Sequence, residues 1–179
     1  MNSHCRTLFA DLSPQSVHSA TLTQLPDGSL LAAAYAFSYE TAPDSRIIVS
    51  RLRGEVWETA STLVDFLGIA VGNPVLHTDS YGMVHLFFVV LYGDEWIDAR
   101  TAHMTSTDSA HTWSTPRLIY EQKGLMTKTR PLEVKGKLLL YRFLLNPESN
   151  EGPPVEEGVL GDEVRLGTQV STAFRENFL

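Results

Sequence analysis

The chain has 179 residues, of which 43% are hydrophobic and 20% are charged, and its formal net charge is -7. No apolar run reaches the roughly 20 residues that a membrane-spanning helix needs, so no membrane span is predicted. Clustered lysines and arginines that would track phosphates are missing, which argues against a nucleic-acid partner. With a single cysteine, Cys5, and no Cys/His cluster of zinc-ligand spacing, we expect no disulfide within the chain, no metal and no cofactor.

The first fifteen residues show neither a repeat nor a targeting signal. Residues 1–12 lack the basic start and the continuous apolar core of a secretory signal peptide. Localisation is therefore unknown from the sequence, and cytoplasmic if this N-terminus is native. We expect residues 1–15 to form an N-terminal segment outside the folded repeats.

Three glycines recur at one interval along the rest of the chain. Gly28, Gly82 and Gly136 are 54 residues apart, and each lies in a short polar turn that an apolar run follows. The apolar runs and the segments around them predict strands, which we list in chain order: 18–25, 29–37, 46–52, 56–64, 73–78, 83–91, 99–105, 112–119, 130–134 and 138–145. The pattern predicts an all-β chain built from four-stranded repeats.

Residues 106–113, with the sequence STDSAHTW, predict a hairpin turn that satisfies its own backbone groups. Asp108 accepts hydrogen bonds from N–H groups one to three residues later, and Ser106 adds its hydroxyl. A left-handed Ala110 costs about 1 kcal/mol, so the turn is either slightly strained or slightly reshaped, and Trp113 starts the next strand as an apolar plug. We therefore assign Ser106, Asp108 and Trp113 to turn structure and not to catalysis.

This turn, S-x-D-x-G-x-T-W with Ala110 in the glycine position, resembles the Asp-box of the sialidase (neuraminidase) and BNR-repeat family. A faded copy at 50–57 keeps Ser50, Gly54 and Trp57, loses the Asp, and lies 56 residues upstream. The sequences Leu-Pro-Asp-Gly at 25–28 and Asn-Pro-Val-Leu at 73–76 are also similar to segments of that family, and the likeness covers roughly residues 16–143. The alternative is an ordinary antiparallel β domain whose spacing is a coincidence.

The resemblance implies an incomplete six-bladed β-propeller, with about two and a half four-stranded blades over residues 16–145. The tail at 146–179 is acidic and rich in Pro and Gly, so we expect it to be irregular and poorly ordered. Propeller blades bury both faces against their neighbours. We therefore expect the chain to be a fragment, a truncated product or one partner of an assembly, with missing blades or another chain covering its open flanks.

Loops that lead into the innermost strands of a propeller converge on its axis, so polar residues there are candidates for a site. His18, Asn73, Lys128 and Arg130 stand at such places in the three repeats, which predicts a shared rim facing one ligand. Each has a structural alternative: His18 bonds a neighbouring carbonyl, Asn73 is a loop residue before proline, and the two cations form an exposed basic pair.

What the family resemblance implies is exo-α-sialidase-like chemistry, in which a terminal acidic sugar is removed from a glycoconjugate. Glu40 and Asp44 lie in the loop where the family places its acid/base carboxylate, so they are the catalytic candidates, unless they only solvate that loop. The family's three-arginine clamp and Tyr/Glu nucleophile pair find no counterpart here, which leaves enzyme activity open. The alternative function is a non-catalytic BNR-repeat propeller module that binds carbohydrate or protein.

Overall fold

The computed structural model describes residue 9, residues 16–145 and three short segments at 159–160, 164–169 and 174–177. These residues form three sheets, which we call blades 1, 2 and 3 in chain order. A 3-10 helix at Trp96–Asp98 lies in a loop of blade 2. Among the described residues, no helix has the length and apolar character needed to cross a lipid bilayer.

Blades 1 and 2 are antiparallel sheets that follow chain order from the first strand outward. Blade 1 contains β1 (Ser16–Gln24), β2 (Leu30–Phe37), β3 (Arg46–Arg53), β4 (Val56–Trp57) and β5 (Ser61–Val64). Blade 2 contains β6 (Val71–Thr78), β7 (Val84–Leu91), β8 (Ala99–Ser106) and β9 (Arg117–Tyr120). In blade 1 the outer position is shared, because β4 and β5 both pair with β3.

Blade 3 is built around one long strand. Its strands are β10 (Leu125–Thr127), β11 (Leu132–Val134), β12 (Lys137–Leu145), β13 (Val159–Leu160), β14 (Val164–Gln169) and β15 (Phe174–Asn177). Both β10 and β11 pair antiparallel with β12, so together they take the place of a single first strand. On its other side β12 pairs in parallel with β14 and antiparallel with β15.

The repeated glycines turn the chain between the first and second strands of each blade. Gly28 has φ 83°, Gly82 has φ 83° and Gly136 has φ 71°, a region that side chains with a Cβ rarely adopt. Asp79 supports the middle turn, because its carboxylate accepts the N–H groups of Tyr81 at 3.0 Å and Met83 at 2.8 Å. The predicted all-β fold with strands on both sides of these three turns is confirmed.

Blades 1 and 2 pack face to face through alternate residues of their second strands. The apolar residues involved are Leu31, Ala33, Tyr35 and Phe37 from β2, and Val84, Leu86, Phe88 and Val90 from β7, each at most 3% exposed. Burying an aliphatic or aromatic side chain of this size contributes about 1.5–3 kcal/mol. The first strands also meet, since the Thr21 hydroxyl accepts the Leu76 N–H at 3.2 Å.

The face of blade 2 that meets blade 3 combines apolar and titratable side chains. Val75 and Phe87 pack there against Leu138 and Leu140 of β12. Glu133 of blade 3 accepts hydrogen bonds from both the backbone N–H and the hydroxyl of Ser80 in blade 2, the first at 2.8 Å. The three blades thus stack side by side with β1, β6 and β10 innermost, which confirms the predicted partial propeller.

Three histidines lie on this same face of blade 2. His85 Nδ1 is 3.0 Å from His103 Nε2, and His85 Nε2 is 3.2 Å from the Asp79 carboxylate. Burial lowers the pKa of His103 to about 3 and also lowers the pKa of His85. His77, whose pKa burial lowers as well, finds no hydrogen-bond partner for its buried Nε2 among the described residues. The histidines are therefore neutral at pH 7.

Two outer strands and the first strand of blade 3 differ from the sequence prediction, since β10 and the shorter β11 take the place of the single strand predicted over 130–134. The predicted strand over 112–119 begins only at Arg117. Before it, the Ser114 N–H donates to the Thr105 carbonyl and the Ser114 hydroxyl accepts the Thr105 N–H. In addition, Pro116 has no N–H that could pair with a neighbouring strand. The predicted strand over 56–64 is split into β4 and β5. The expectations for the segment 1–15 and for a poorly ordered tail lie mostly outside the described residues.

Hydrogen bonds to Asp108 hold the hairpin at 106–113 together. Its carboxylate accepts the Thr112 N–H at 2.9 Å, the Thr112 hydroxyl at 2.6 Å and the His111 N–H at 3.1 Å, while the Ser106 hydroxyl donates at 2.7 Å. These hydrogen bonds hold the pKa of Asp108 well below its usual range. Ala110 has φ 60°, in the left-handed region, as its place in the turn requires.

The hairpin of blade 1 is secured differently. Arg51, only 6% exposed, donates to the Ser109 carbonyl at 2.6 Å, to the Ser29 hydroxyl at 3.2 Å and to the Asp27 carboxylate at 3.3 Å. Because Ser109 belongs to the 106–113 hairpin of blade 2, Arg51 joins the outer parts of the two blades. The blade 1 hairpin itself is held by the Ser50 hydroxyl, which donates to the Glu58 carbonyl at 2.6 Å.

Candidate functional site

The first strands of blades 1 and 2 carry the same irregularity. The register of β1 shifts between His18 and Thr21, and that of β6 shifts between Gly72 and Val75. Inside these bulges Ser19 has φ 51° and Asn73 has φ 46°, unusual for residues other than glycine. A bulge redirects a side chain out of the regular alternation, and it recurs here at the repeat interval of 54 residues. His18 and Asn73 therefore lie within the first strands of their blades and not in the loops before them, whereas Lys128 and Arg130 lie between β10 and β11.

The bulges bring the three blades into contact. The Ser19 hydroxyl of blade 1 donates to the Asn73 side-chain oxygen of blade 2 at 3.0 Å. The Thr127 hydroxyl of blade 3 donates to the Asn73 carbonyl at 2.8 Å. Blade 3 has its own irregularity at this level, since the chain leaves β10 after Thr127 and rejoins the sheet at Leu132. Asn73 is thus the point at which all three innermost strands meet.

A cavity of about 470 Å³ lies along these strands, and we call it the inner-strand cavity. It is lined by Ser19, Ala20, Thr21 and Leu22 of blade 1, Asn73, Pro74 and Val75 of blade 2, and Thr127, Lys128 and Arg130 of blade 3. Among the described lining residues the ionisable ones are Lys128 and Arg130, which are both cations and both exposed. Three of the four predicted substrate contacts, Asn73, Lys128 and Arg130, are therefore brought together.

The fourth predicted contact, His18, pairs with a predicted catalytic residue. His18 Nδ1 is 2.7 Å from Glu40 Oε1, and both side chains are about half exposed. The Tyr35 hydroxyl lies 3.2 and 3.3 Å from the two Glu40 oxygens and donates to that carboxylate. We call His18, Tyr35 and Glu40 the rim cluster. His18 immediately precedes Ser19, so the rim cluster adjoins the inner-strand cavity along the chain.

Tyr35 holds Glu40 in place and is itself held by aromatic packing. Burial, reinforced by the Glu40 carboxylate, raises the pKa of Tyr35 well above its usual range. Trp96 contacts the Tyr35 ring edge-on at 6.4 Å between centroids. A Cβ at Gly72 would stand 3.1 Å from the Trp96 ring, so the glycine permits this approach. Tyr35 is therefore a fixed, neutral hydrogen-bond donor.

Asp44, the other predicted catalytic residue, has a different neighbour. Its carboxylate accepts the Ser38 N–H at 3.2 Å and the Ser38 hydroxyl at 3.0 Å, which closes the loop between β2 and β3. Of the two predicted carboxylates, Glu40 is therefore the one in the rim cluster. Within the part of the chain that the structure describes, no three His, Cys, Asp or Glu side chains are grouped to hold a metal ion.

Comparison with known proteins identifies the family. The sequence profile of the BNR repeat-like domain matches residues 28–151. The chain belongs to the BNR repeat-like domain family. No curated protein matches it in sequence. The family match covers the second strand of blade 1 through the first part of blade 3, which includes Glu40, Asn73, Lys128 and Arg130.

Several solved structures share the fold of this BNR repeat-like chain. A Hadza microbial sialidase is 17% identical with a TM-score of 0.61, and the match covers 73% of this chain and 32% of the sialidase. An α-L-arabinofuranosidase from Fusarium graminearum is 16% identical, with a TM-score of 0.54 and coverage of 76% and 42%. A family 117 glycoside hydrolase from Zobellia galactanivorans is 12% identical, with a TM-score of 0.55 and coverage of 79% and 52%. The chain thus spans a third to a half of these structures, and at such identities the likeness is one of fold.

The sequence assigned no role to three residues that support the candidate site of this BNR repeat-like chain. Ser19 and Thr127 bond Asn73 from neighbouring blades, and Tyr35 anchors Glu40. The 54-residue interval between Ser19 and Asn73 was a usable signal, because it equals the interval of the turn glycines. The sequence did not indicate a role for Tyr35, since it lies in a strand of otherwise small and apolar residues.

Proposed function

We propose that this BNR repeat-like chain belongs to a sialidase-like glycosidase and that its inner-strand cavity binds the carboxylate of a terminal acidic sugar. The observation that carries the proposal is the placement of Lys128 and Arg130 on one wall of a cavity shared by three blades. A guanidinium binds a carboxylate through two parallel hydrogen bonds, and a lysine adds a point charge beside it. Polar groups of Ser19 and Asn73 in the same lining are suited to sugar hydroxyls.

Electrostatics favour an anionic ligand at this place. The chain as a whole has a net charge of -7, so its overall charge does not attract anions. In the inner-strand cavity, by contrast, both charged lining residues are cations. A local positive site on an acidic protein favours a ligand whose negative charge is confined to one group. A sugar with a single carboxylate is such a ligand.

The rim cluster supports a hydrolytic role. Glu40 is half exposed and hydrogen bonded to His18 and Tyr35, which fixes its orientation while leaving it accessible. A carboxyl group held in this way is suited to give a proton to a leaving-group oxygen and take one from water. We assign the acid/base role to Glu40, with Asp44 as the second candidate.

A second candidate function is carbohydrate binding without turnover. One observation favours it: Tyr35, which contacts Glu40, is 3% exposed and has a raised pKa. A tyrosine nucleophile needs the opposite, an accessible hydroxyl with a lowered pKa. If no other group serves as nucleophile, the same cavity binds the acidic sugar and releases it unchanged.

The test measures binding and turnover separately. Sialic acid binding is followed by calorimetry, and hydrolysis is followed with a fluorogenic sialoside. Arg130→Ala is expected to weaken sialic acid binding at least tenfold, because it removes a charge-assisted pair worth about 1.5–3 kcal/mol. Arg53→Ala is the matched control, since Arg53 is half exposed and pairs with Glu58 on the blade 1 hairpin.

The outcomes separate the two functions. Hydrolysis that Glu40→Gln abolishes, with binding retained, supports the glycosidase. Binding without hydrolysis supports the binding module. Absence of sialic acid binding, or equal effects of the Arg130 and Arg53 variants, would exclude the acidic-sugar site.

A further inference from the structure

A second cavity, which we call the loop pocket, lies where three loops of blades 1 and 2 meet. Its volume is about 580 Å³. Small-molecule sites have volumes of about 300–1,000 Å³. Its wall includes Tyr39, Thr41 and Pro43 from the β2–β3 loop, Gly68 from the β5–β6 connection, and Tyr92 and Asp94 from the β7–β8 loop. None of these residues is among the site candidates from the sequence.

Two tyrosines in the wall are unusually exposed. Tyr39 is 63% exposed and Tyr92 is 57% exposed. The Arg100 guanidinium lies over the Tyr92 ring at 5.7 Å from its centroid, which holds that ring by a cation–π contact. A tyrosine offers an apolar face and a hydroxyl, and a sugar ring offers an apolar C–H face and hydroxyls. The two surfaces are therefore complementary.

The charge of the wall indicates which sugars fit. Among the described residues that line the loop pocket, Asp94 is the charged one at neutral pH. A carboxylate accepts hydrogen bonds from sugar hydroxyls, but it repels an anionic sugar. The loop pocket therefore differs from the inner-strand cavity, whose charged lining residues are cations. Its chemistry suits a neutral ring.

Contacts between the blades keep the loop pocket open in a fixed shape. Ser45, 1% exposed, donates its hydroxyl to the Val71 carbonyl at 2.9 Å and accepts the Val71 N–H at 2.7 Å. The Leu91 N–H donates to the Ala70 carbonyl at 2.9 Å. These bonds fasten the β2–β3 loop to β6 and the β5–β6 connection to β7. A cavity that is formed in advance loses less entropy when it binds a ligand.

We propose that the loop pocket binds a neutral sugar ring, with Tyr39 and Tyr92 as stacking surfaces and Asp94 as an acceptor for its hydroxyls. Glu40 stands between Tyr39 and Thr41 in the chain, so one loop serves both the rim cluster and the loop pocket. The neutral ring is then the sugar attached to the terminal acidic sugar. This last link rests on the proposed function, whereas the neutral-sugar site itself does not.

The test uses the full chain and saturation-transfer NMR with three probes: sialic acid, lactose and sialyllactose, each at millimolar concentration. Wild-type protein is expected to bind lactose. Tyr92→Ala and Tyr39→Ala are each expected to weaken lactose binding about tenfold through lost stacking, while Tyr92→Phe retains it within about threefold. Tyr81→Ala is the control, because Tyr81 is 81% exposed and lies at the β6–β7 turn. Sialic acid binding is expected to be equal in all four variants.

The probes distinguish the failure of this inference from the failure of the proposed function. Lactose binding that depends on Tyr92, with no binding of sialic acid, leaves the neutral-sugar site standing and removes the acidic-sugar site. No lactose binding, or lactose binding that the Tyr39 and Tyr92 variants leave unchanged, overturns the loop pocket. Sialyllactose binding tighter than lactose binding, with sensitivity to both Tyr92→Ala and Arg130→Ala, supports one continuous ligand.

Discussion

The two faces of blade 2 differ in chemistry. Toward blade 1, β7 presents Val84, Leu86, Phe88 and Val90, all buried among apolar partners. Toward blade 3 the same blade presents His85 and His103, stacked on Phe87 and held neutral by burial. The apolar contacts of the first junction are therefore unaffected by pH, whereas the second junction depends on uncharged histidines. Blade 3 carries Lys128 and Arg130, the cations of the inner-strand cavity. Their position therefore depends on the junction between blades 2 and 3, whose histidines can be protonated.

The largest effect is expected from the apolar junction. Phe88 is fully buried between blades 1 and 2, so Phe88→Ala leaves a cavity and is expected to lower the free energy of unfolding by about 3–5 kcal/mol. Urea denaturation at pH 7 and pH 5 measures it, and the loss is expected to be the same at both values. Leu67→Ala is the control, since Leu67 is fully exposed. A loss below about 1 kcal/mol would mean that this junction does not hold the blades together.

Arg51 tests the polar contact on the same side of blade 2. Arg51→Ala leaves the Ser109 carbonyl and the Asp27 carboxylate without this partner, and is expected to cost about 2–3 kcal/mol. Between pH 7 and pH 5 this loss is also independent of pH, because arginine stays charged and hydrogen bonds from Ser29 lower the pKa of Asp27. The exposed Arg53, compared in the same urea series, is expected to cost less than about 1 kcal/mol. Equal losses for the two arginines would show that Arg51 does not join the hairpins.

The histidine junction is expected to weaken in acid. In the unfolded chain a histidine titrates near its ordinary value of 6.5, whereas in the fold the pKa of His103 is lowered to about 3. Between these values the unfolded state binds more protons, so stability is complete above about pH 6.5 and falls as the pH decreases. For one such group the free energy of unfolding drops by about 2 kcal/mol between pH 7 and pH 5.

His103→Gln provides the comparison for this pH dependence. An amide N–H is able to bond His85 Nδ1 without titrating, so the variant is expected to lose part of the decrease between pH 7 and pH 5. Chemical denaturation at several pH values measures it. If wild type and variant follow parallel curves, the neutral histidine pair does not govern this junction.

The smallest effect on stability is expected from the 106–113 hairpin, to which Arg51 donates a hydrogen bond. Ala110 has φ 60°, so Ala110→Gly relieves a left-handed alanine and is expected to raise the free energy of unfolding by up to about 1 kcal/mol. Thermal melting checks the sign of the change. A clear loss of stability would indicate that the Ala110 methyl, which packs against the core, contributes more than the backbone strain costs.

The sequence was sufficient to predict most of the fold. Gly28, Gly82 and Gly136 marked the turns, and the apolar runs after them are β2, β7 and β12 within one or two residues. The outer strands were predicted less well because their limits depend on bonds such as that between Ser114 and Thr105. Such contacts depend on the three-dimensional geometry of the folded hairpin. The alternation of hydrophobic and polar residues in the sequence does not predict that geometry.

The candidate site could be derived from the sequence in part, for a physical reason. Asn73, Lys128 and Arg130 were proposed because polar residues recur beside each first strand, and in the structure they line one cavity. The contacts of Arg51 with Ser109 and of His85 with His103 join residues far apart in the chain, so no local pattern announces them. The loop pocket likewise requires the relative position of two blades before Tyr39 and Tyr92 come together.

The central claim is that the inner-strand cavity binds an acidic sugar. The most direct measurement is a titration of isotope-labelled chain with sialic acid, followed by the backbone amide shifts of each residue. The account predicts progressive shifts at Ser19, Asn73 and Lys128, with the 106–113 hairpin unchanged. Shifts confined to other surfaces, or none at millimolar sugar, would contradict it.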